Sequence, residues 1–185
     1  MVAHGSGERE VLRALADLCG RLLLREANSA DLELMHRREV RGAFESLGVS
    51  VPDGPPHAVL EELARQYHAS FLAPESGAPP VASLWRAAHL GSDTVAAARS
   101  AVAAAGLEVD GAHGPHDHLG RLLCLWARAD ETAPEVAELL RDRHLAWGID
   151  ALQSRALGDD AGFYPSLARA TIAVLVELTG SGREF

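Results

Sequence analysis

The stretch LGRLLCLWARADETAPEVAELLRDRHLAWGIDAL, residues 119–152, decides the fold class of this chain. Its first part carries apolar side chains three or four residues apart, at Leu119, Leu122, Leu123 and Trp126. This spacing places them on one face of an α-helix. Thr132 and Pro134 suit the start of a second helix. That helix is predicted to run to about Leu157 through Val136, Leu139, Leu140, Trp147 and Ile149.

The rest of the chain shows the same helical spacing and almost no strand signal. Further helices are predicted at about 7–26 after an N-cap at Ser6, at 30–47 before Gly48, from Pro55 and Pro56 to Phe71, from Ser92 to Gly106, and from Phe163 to Leu178 before Gly180. A short apolar turn runs through Leu84 and Trp85. We therefore expect an all-α fold, a compact single-domain bundle of about seven helices that covers residues 1–185 with short flexible tails at both ends.

Composition indicates a protein of the cytoplasm. No apolar run approaches the roughly 20 residues that span a bilayer. The first ten residues, MVAHGSGERE, lack the basic and apolar regions of an export signal. We expect no stable membrane insertion. Cys19 and Cys124 each lie among leucines, which is typical of buried, reduced thiols rather than of a disulfide.

The formal net charge of −9 argues against nucleic acid as a partner and favours basic ligands at long range. No catalytic signature is present. The sequence has no phosphate-binding loop, dinucleotide fingerprint, zinc-protease motif or nucleophile elbow, and leucines around Cys124 make its thiol a poor nucleophile. We expect no enzymatic activity, no catalytic residue and no cofactor.

The densest polar cluster is GAHGPHDH, residues 111–118, with three histidines and an aspartate. Imidazole and carboxylate groups this close together bind zinc or nickel in some proteins, so His113, His116 and His118 define one hypothesis, a metal-binding or metal-delivery loop. The alternative is an ordinary surface loop in which Asp117 caps the helix that starts at Leu119.

Three separated segments resemble the TorD/DmsD/NarJ family of redox-enzyme maturation chaperones. The first, YHASFLAPESGAPPVASLW, is similar to the family's Tyr-containing helix and Pro-Pro-Trp-Glu-Ser turn through Tyr67, Phe71, Pro79, Pro80, Ser83 and Trp85. The second, GPHDHLGRLLCLWARA, resembles its Pro-Asp-Asp-His loop and the helix that follows. The third joins HLAWGIDAL to GFYPSLARATIAVLVEL, like the family's last helices. The chain departs from the family at Val81, Ala82 and His116, where the motifs have Trp, Glu and Asp.

The resemblance implies a cytoplasmic chaperone that binds the twin-arginine signal peptide, or another segment, of a molybdenum-cofactor oxidoreductase until the cofactor is inserted. It also implies that two loops lie near each other and form the site. Pro79, Pro80 and Trp85 would form a groove wall, extended by Tyr67, and Pro115, Asp117 and His118 a polar anchor. Asp117 would accept hydrogen bonds from a guanidinium, and His118 would shape or bind the peptide backbone.

Other functions stay open at this point. A chaperone of the same kind could bind a mature region of a non-exported subunit instead of a signal peptide. A metal-dependent hydrolase or metal-delivery protein would use the three loop histidines, and a helical scaffold or oligomerisation domain would bind no peptide. A monomer and a helix-swapped dimer both fit the sequence.

Overall fold

The computed structural model describes residues 6–73, 80–85, 96, 99–100, 102–107, 115–156 and 162–180. The helices with complete bounds in these ranges are α1 Ser6–Leu24, α2 Ser29–Met35, α3 Arg38–Ser46, α4 Pro56–Tyr67, α5 Ala82–Trp85, α6 Leu119–Thr132, α7 Pro134–Leu140, α8 Trp147–Ala156 and α9 Phe163–Thr179. Two π-helical turns, His68–Leu72 and Arg141–Leu145, continue α4 and α7. Within these ranges no strand forms, so the all-α prediction is confirmed.

The centre of the fold is the contact between α1 and α6. It is closest at Gly20 and Gly120, where a Cβ atom built on Gly120 would lie 2.4 Å from the carbonyl oxygen of Gly20. A Cβ on Gly20 would lie 2.6 Å from the carbonyl oxygen of Gly120. Only glycine fits at this crossing, because any side chain would force the two backbones apart. Leucines on both helices are buried beside it: Leu18, Leu22, Leu119 and Leu123.

The helix predicted at 30–47 is two helices, α2 and α3, with a break at His36 and Arg37. Arg37 adopts an extended backbone, with φ −63° and ψ 134°. The break has a packing reason. Met35 and Phe44 are both fully buried, yet nine residues of continuous α-helix would turn them to opposite faces, at about 100° per residue. Interrupting the helix lets both side chains enter the core.

The helix predicted at 132–157 is also interrupted, by the π-helical turn between α7 and α8. Leu140 and Leu145 are both fully buried although they are five residues apart. An α-helix would separate them by roughly 140°, whereas the wider π-helical turn aligns residues at that spacing. These two interruptions, with the helical turn α5, are why the described residues contain more than the seven helices predicted.

The prediction of stops at Gly48 and Gly180 is confirmed, since both have positive φ angles, 77° and 68°. Pro56 is the first residue of α4, also as predicted. Ser6 is the first described residue of α1, whereas Ser92 lies outside the described residues. None of the described helices combines the length and the apolar character needed to cross a bilayer. The division of the chain into one domain stays a prediction.

Four aromatic rings join α4 to α9: Tyr67, Phe71, Phe163 and Tyr164. Neighbouring ring centroids lie 5.2 to 5.6 Å apart, mostly edge to face. Gln66 on α4 adds a polar link, because its Oε1 accepts a hydrogen bond of 3.0 Å from the backbone N–H of Phe163. This link satisfies a free donor at the start of α9. The cluster therefore fixes the position of α4 and of the π-helical turn that leads towards residue 80.

Candidate functional site

Two segments that the sequence analysis assigned to one site are hydrogen-bonded to each other. The backbone N–H of Leu119 donates to the carbonyl oxygen of Pro80 at 2.8 Å, and the N–H of Ala82 donates to that of Asp117 at 3.1 Å. Between these bonds Val81 and His118 form an antiparallel β-bridge. We call residues 80–82 and 115–119 the loop junction. It brings together Pro80, Pro115, Asp117 and His118 from the predicted site.

The alternative in which Asp117 caps α6 is wrong, because His118 is the N-cap residue. Its backbone is extended, with φ −70° and ψ 129°, and its Nδ1 accepts a hydrogen bond of 3.1 Å from the N–H of Gly120. The carbonyl oxygen of Asp117 is needed for the bridge to Ala82, so the first helical residue is Leu119. An Nδ1 that accepts a hydrogen bond carries no proton, so this cap requires the tautomer with its hydrogen on Nε2.

The loop junction is largely buried, with its open side at Pro115 and His116. Asp117 and His118 keep only 9% and 6% of their surface exposed, whereas Pro115 and His116 are exposed. Val81 and Ala82, which stand where the resembling family has Trp and Glu, are both buried at 4% exposure. The segment that carries them is hydrogen-bonded to the start of α6. Burial, and then the positive charges of Arg121 and Arg99, lower the pKa of His116 below 6.5.

Two leucines are exposed, and one of them, Leu84, lies next to the loop junction. Leu84 on α5 is 54% exposed, and Leu72 at the end of the first π-helical turn is 56% exposed. The N–H of Leu84 donates to the carbonyl oxygen of Val81 at 3.1 Å, so α5 is tied to the junction. Sequence reasoning did not select either leucine, because helical spacing does not distinguish an apolar residue that faces solvent from one that faces the core.

Tyr67 lies deeper than the sequence analysis implied for a groove wall. Only 6% of it is exposed, and its hydroxyl donates a long hydrogen bond of 3.5 Å to the carbonyl oxygen of Leu23. Burial raises its pKa to about 12. Tyr67 therefore supports the aromatic cluster, and its contact with a peptide stays a prediction. Pro79, the side chain of Trp85 and His113 lie outside the described residues.

In the described part of the chain, no group of three or more potential metal ligands comes together. His118 is engaged in the helix cap through Nδ1, and His116 is exposed beside it. Burial, and then the charge of Arg143, lower the pKa of His144, another buried histidine. Its carbonyl oxygen accepts the indole N–H of Trp147 at 2.7 Å. That pair stabilises the second π-helical turn.

Residues 36–153 match the family model described as nitrate reductase delta subunit. The matched range contains both halves of the loop junction and excludes α1. No curated protein and no solved structure matches the chain. The family is one of redox-enzyme maturation chaperones of the NarJ/TorD type, so the resemblance found in the sequence is confirmed. The chain belongs to the nitrate reductase delta subunit family of redox-enzyme maturation chaperones.

Proposed function

We propose that the chain is a cytoplasmic chaperone that binds the N-terminal signal peptide of a molybdenum-cofactor oxidoreductase at the loop junction. It holds the subunit until the cofactor is inserted and then releases it for export or assembly. Members of the family bind molybdoenzyme subunits during maturation and are not catalysts. The chain itself then acts by binding alone, without a cofactor of its own.

One observation carries this proposal: the loop junction places a carboxylate and an exposed apolar side chain in one hydrogen-bonded unit. Asp117 is bonded through its backbone to Ala82, and Leu84 is bonded back to Val81. A twin-arginine signal peptide offers guanidinium groups followed by an apolar segment, so it needs both kinds of partner. The formal charge of −9 attracts such a peptide at long range.

The magnitudes favour Asp117 as the residue that decides affinity. A charge-assisted hydrogen bond to a guanidinium contributes roughly 1.5–3 kcal/mol, or ten- to a hundredfold in affinity. Covering one half-exposed leucine contributes about 1 kcal/mol. Leu84 therefore provides a smaller part than one well-placed carboxylate, and its apolar contact positions the peptide rather than selects it.

The test is calorimetric titration with the N-terminal peptide of a candidate molybdoenzyme subunit from the same organism. Asp117→Asn should weaken binding at least tenfold. A thermal melt of the same variant separates a loss of binding from a loss of folding, since the backbone bonds of residue 117 remain. Glu135→Gln is the matched control, since it removes one exposed negative charge on α7. Equal affinity of Asp117→Asn and the wild type would remove Asp117 from the site.

The other functions give different results in the same experiment. A chaperone of a mature region would not bind the N-terminal peptide but would capture a client subunit that lacks it. A metal-delivery protein would bind zinc or nickel in a titration without peptide, and His116→Ala would weaken that binding. A helical scaffold would bind none of these. Analytical ultracentrifugation of the same samples separates a monomer from a helix-swapped dimer.

A further inference from the structure

One of the two imidazole nitrogens of His118 caps α6. Nδ1 accepts the N–H of Gly120 at 3.1 Å, and the residue keeps only 6% of its surface exposed. A residue that caps a helix from a buried position holds the backbone around it, whatever else its ring touches. His118 therefore differs from a side chain whose main role is to contact a ligand.

Three attachments meet at residues 118–120. The N–H of Leu119 bonds to Pro80, and the N–H of Gly120 bonds to the His118 ring. The α-carbon of Gly120 lies against the backbone of α1, where any Cβ would overlap the carbonyl oxygen of Gly20. The first two N–H groups of α6 have no partner within the helix. Both are satisfied by the loop junction, so the start of α6 and segment 80–82 form one hydrogen-bonded unit.

We infer that His118 is a positioning residue: its Nδ1 cap fixes the loop junction on α6, and its effect on peptide binding arises from this bond rather than from contact with the peptide. The inference rests on the proposed function for its second half only. The cap is a property of the protein alone. In this role the side chain must be neutral, because a proton on Nδ1 would face the N–H of Gly120.

Two substitutions of His118 test the roles of Nδ1 and Nε2 separately. Asn places its Oδ1 near the position of Nδ1 and is among the best N-cap residues. Gln places its amide near the position of Nε2 and lacks an acceptor at the short distance that a cap needs. The matched controls are His57→Asn and His57→Gln on α4, where the side chain is 87% exposed and only weakly paired with Glu61.

The variants are titrated with the N-terminal client peptide, and exchange of the Gly120 amide hydrogen is measured by NMR. His118→Asn should keep affinity within about threefold of the wild type and retain protection of Gly120. His118→Gln should lose about tenfold in affinity, and Gly120 should exchange about fivefold faster, as expected for a lost cap. Both His57 variants should match the wild type. The reverse pattern, with Gln active and Asn inactive, would show that Nε2 contacts the peptide and would overturn the inference.

A third measurement needs no variant. The ¹⁵N imidazole spectrum of the wild-type protein should show an unprotonated Nδ1 and a protonated Nε2 for His118. The opposite tautomer would overturn the cap even if His118→Gln failed to fold. Should the wild-type chain bind no peptide, the proposed function fails, while the tautomer and the Gly120 exchange rates still decide whether His118 holds the loop junction.

Discussion

The backbone N–H groups at the start of a helix need hydrogen-bond acceptors, and α2 and α6 obtain them in different ways. At α2 the side chain of Asn28 accepts the N–H of Asp31 at 3.0 Å, and the carboxylate of Asp31 accepts the N–H of Asn28 at 3.1 Å. This capping box is closed within three residues of sequence. At α6 a neutral imidazole caps the helix, and the first N–H bonds to Pro80, which is remote in sequence.

The starts of α2 and α6 also differ in charge. Asp31 is fully buried and accepts bonds of 2.9 Å from Arg21 and 2.7 Å from Arg25, so the α2 start is an ion-paired corner between α1 and α2. It precedes the range that matches the family model. The α6 start uses backbone groups and lies inside that range. We infer that the α2 start serves stability alone, and that the α6 start couples stability to the shape of the site.

The largest expected effect is that of Gly120→Ala. Its Cβ would lie 2.4 Å from the Gly20 carbonyl oxygen and 3.1 Å from the backbone nitrogen of Leu24, and backbone cannot rotate away. We expect a loss of about 3 kcal/mol in the free energy of unfolding, at the upper end for overpacking. Peptide affinity should fall as well, because α6 carries the loop junction. Urea denaturation and calorimetric titration measure the two effects.

Gly42→Ala is the control for that change. Gly42 lies within α3 and a Cβ there meets nothing within 4 Å, so alanine should stabilise the protein by about 0.5–1 kcal/mol. If Gly120→Ala weakened folding but left peptide affinity intact, the coupling between the α6 start and the site would be contradicted.

The next effect is that of Asp31→Ala, which leaves two arginines without their shared carboxylate. Arg21 and Arg25 keep 27% and 38% of their side chains exposed, so water compensates them in part. We expect a loss of about 2–3 kcal/mol, below the range for fully buried pairs. Asp17→Ala removes the other partner of Arg21, at 3.0 Å and 43% exposed, and should cost less than about 0.5 kcal/mol. A small effect of Asp31→Ala would mean that the corner is held by packing.

These two helix starts also mark what the sequence could predict. Helical spacing gave the fold class and the ends at Gly48 and Gly180. The capping box at Asn28 was readable in principle, because both partners lie within four residues, but the prediction began that helix at residue 30 without a cap. The α6 cap was not readable. His118 rather than Asp117 fills that position because Pro80 and Ala82 bind the backbone on either side of it.

The same distinction holds for the site. The resemblance correctly brought segments 80–82 and 115–119 together, since residue order along the chain carries that information. It gave no measure of how deeply a residue is buried, so it did not predict that Tyr67 packs in the aromatic cluster. The exposed Leu72 and Leu84 were not selected, because exposure depends on which neighbours pack over a residue.

A smaller effect is expected from Asn28→Ala. The loss of one cap costs about 1 kcal/mol, and Asn28→Ser should recover most of it, because serine caps nearly as well. Thermal denaturation measures both variants. Peptide affinity should be the same as in the wild type, in contrast to His118→Gln. A change in affinity for Asn28→Ala would contradict the assignment of the α2 start to stability alone.

The smallest effect concerns the thiols, which report on the contact between α1 and α6. Burial raises the pKa of both Cys19 and Cys124 to about 12, so at pH 8 roughly one molecule in 10⁴ carries a thiolate at either position. Cys124 lies in the helix contact, since its Sγ would be 2.7 Å from a Cβ on Gly20.

We expect the native protein and Asn28→Ala to react negligibly with a disulfide reagent, whereas both thiols react in guanidinium chloride. Gly120→Ala should expose Cys124 first, because the helices must separate there, and the Cys124→Ala background identifies which thiol reacts. A thiol that reacts rapidly in the native wild-type protein would show that α1 and α6 open readily, and the α6 start would then be no more rigid than the α2 start.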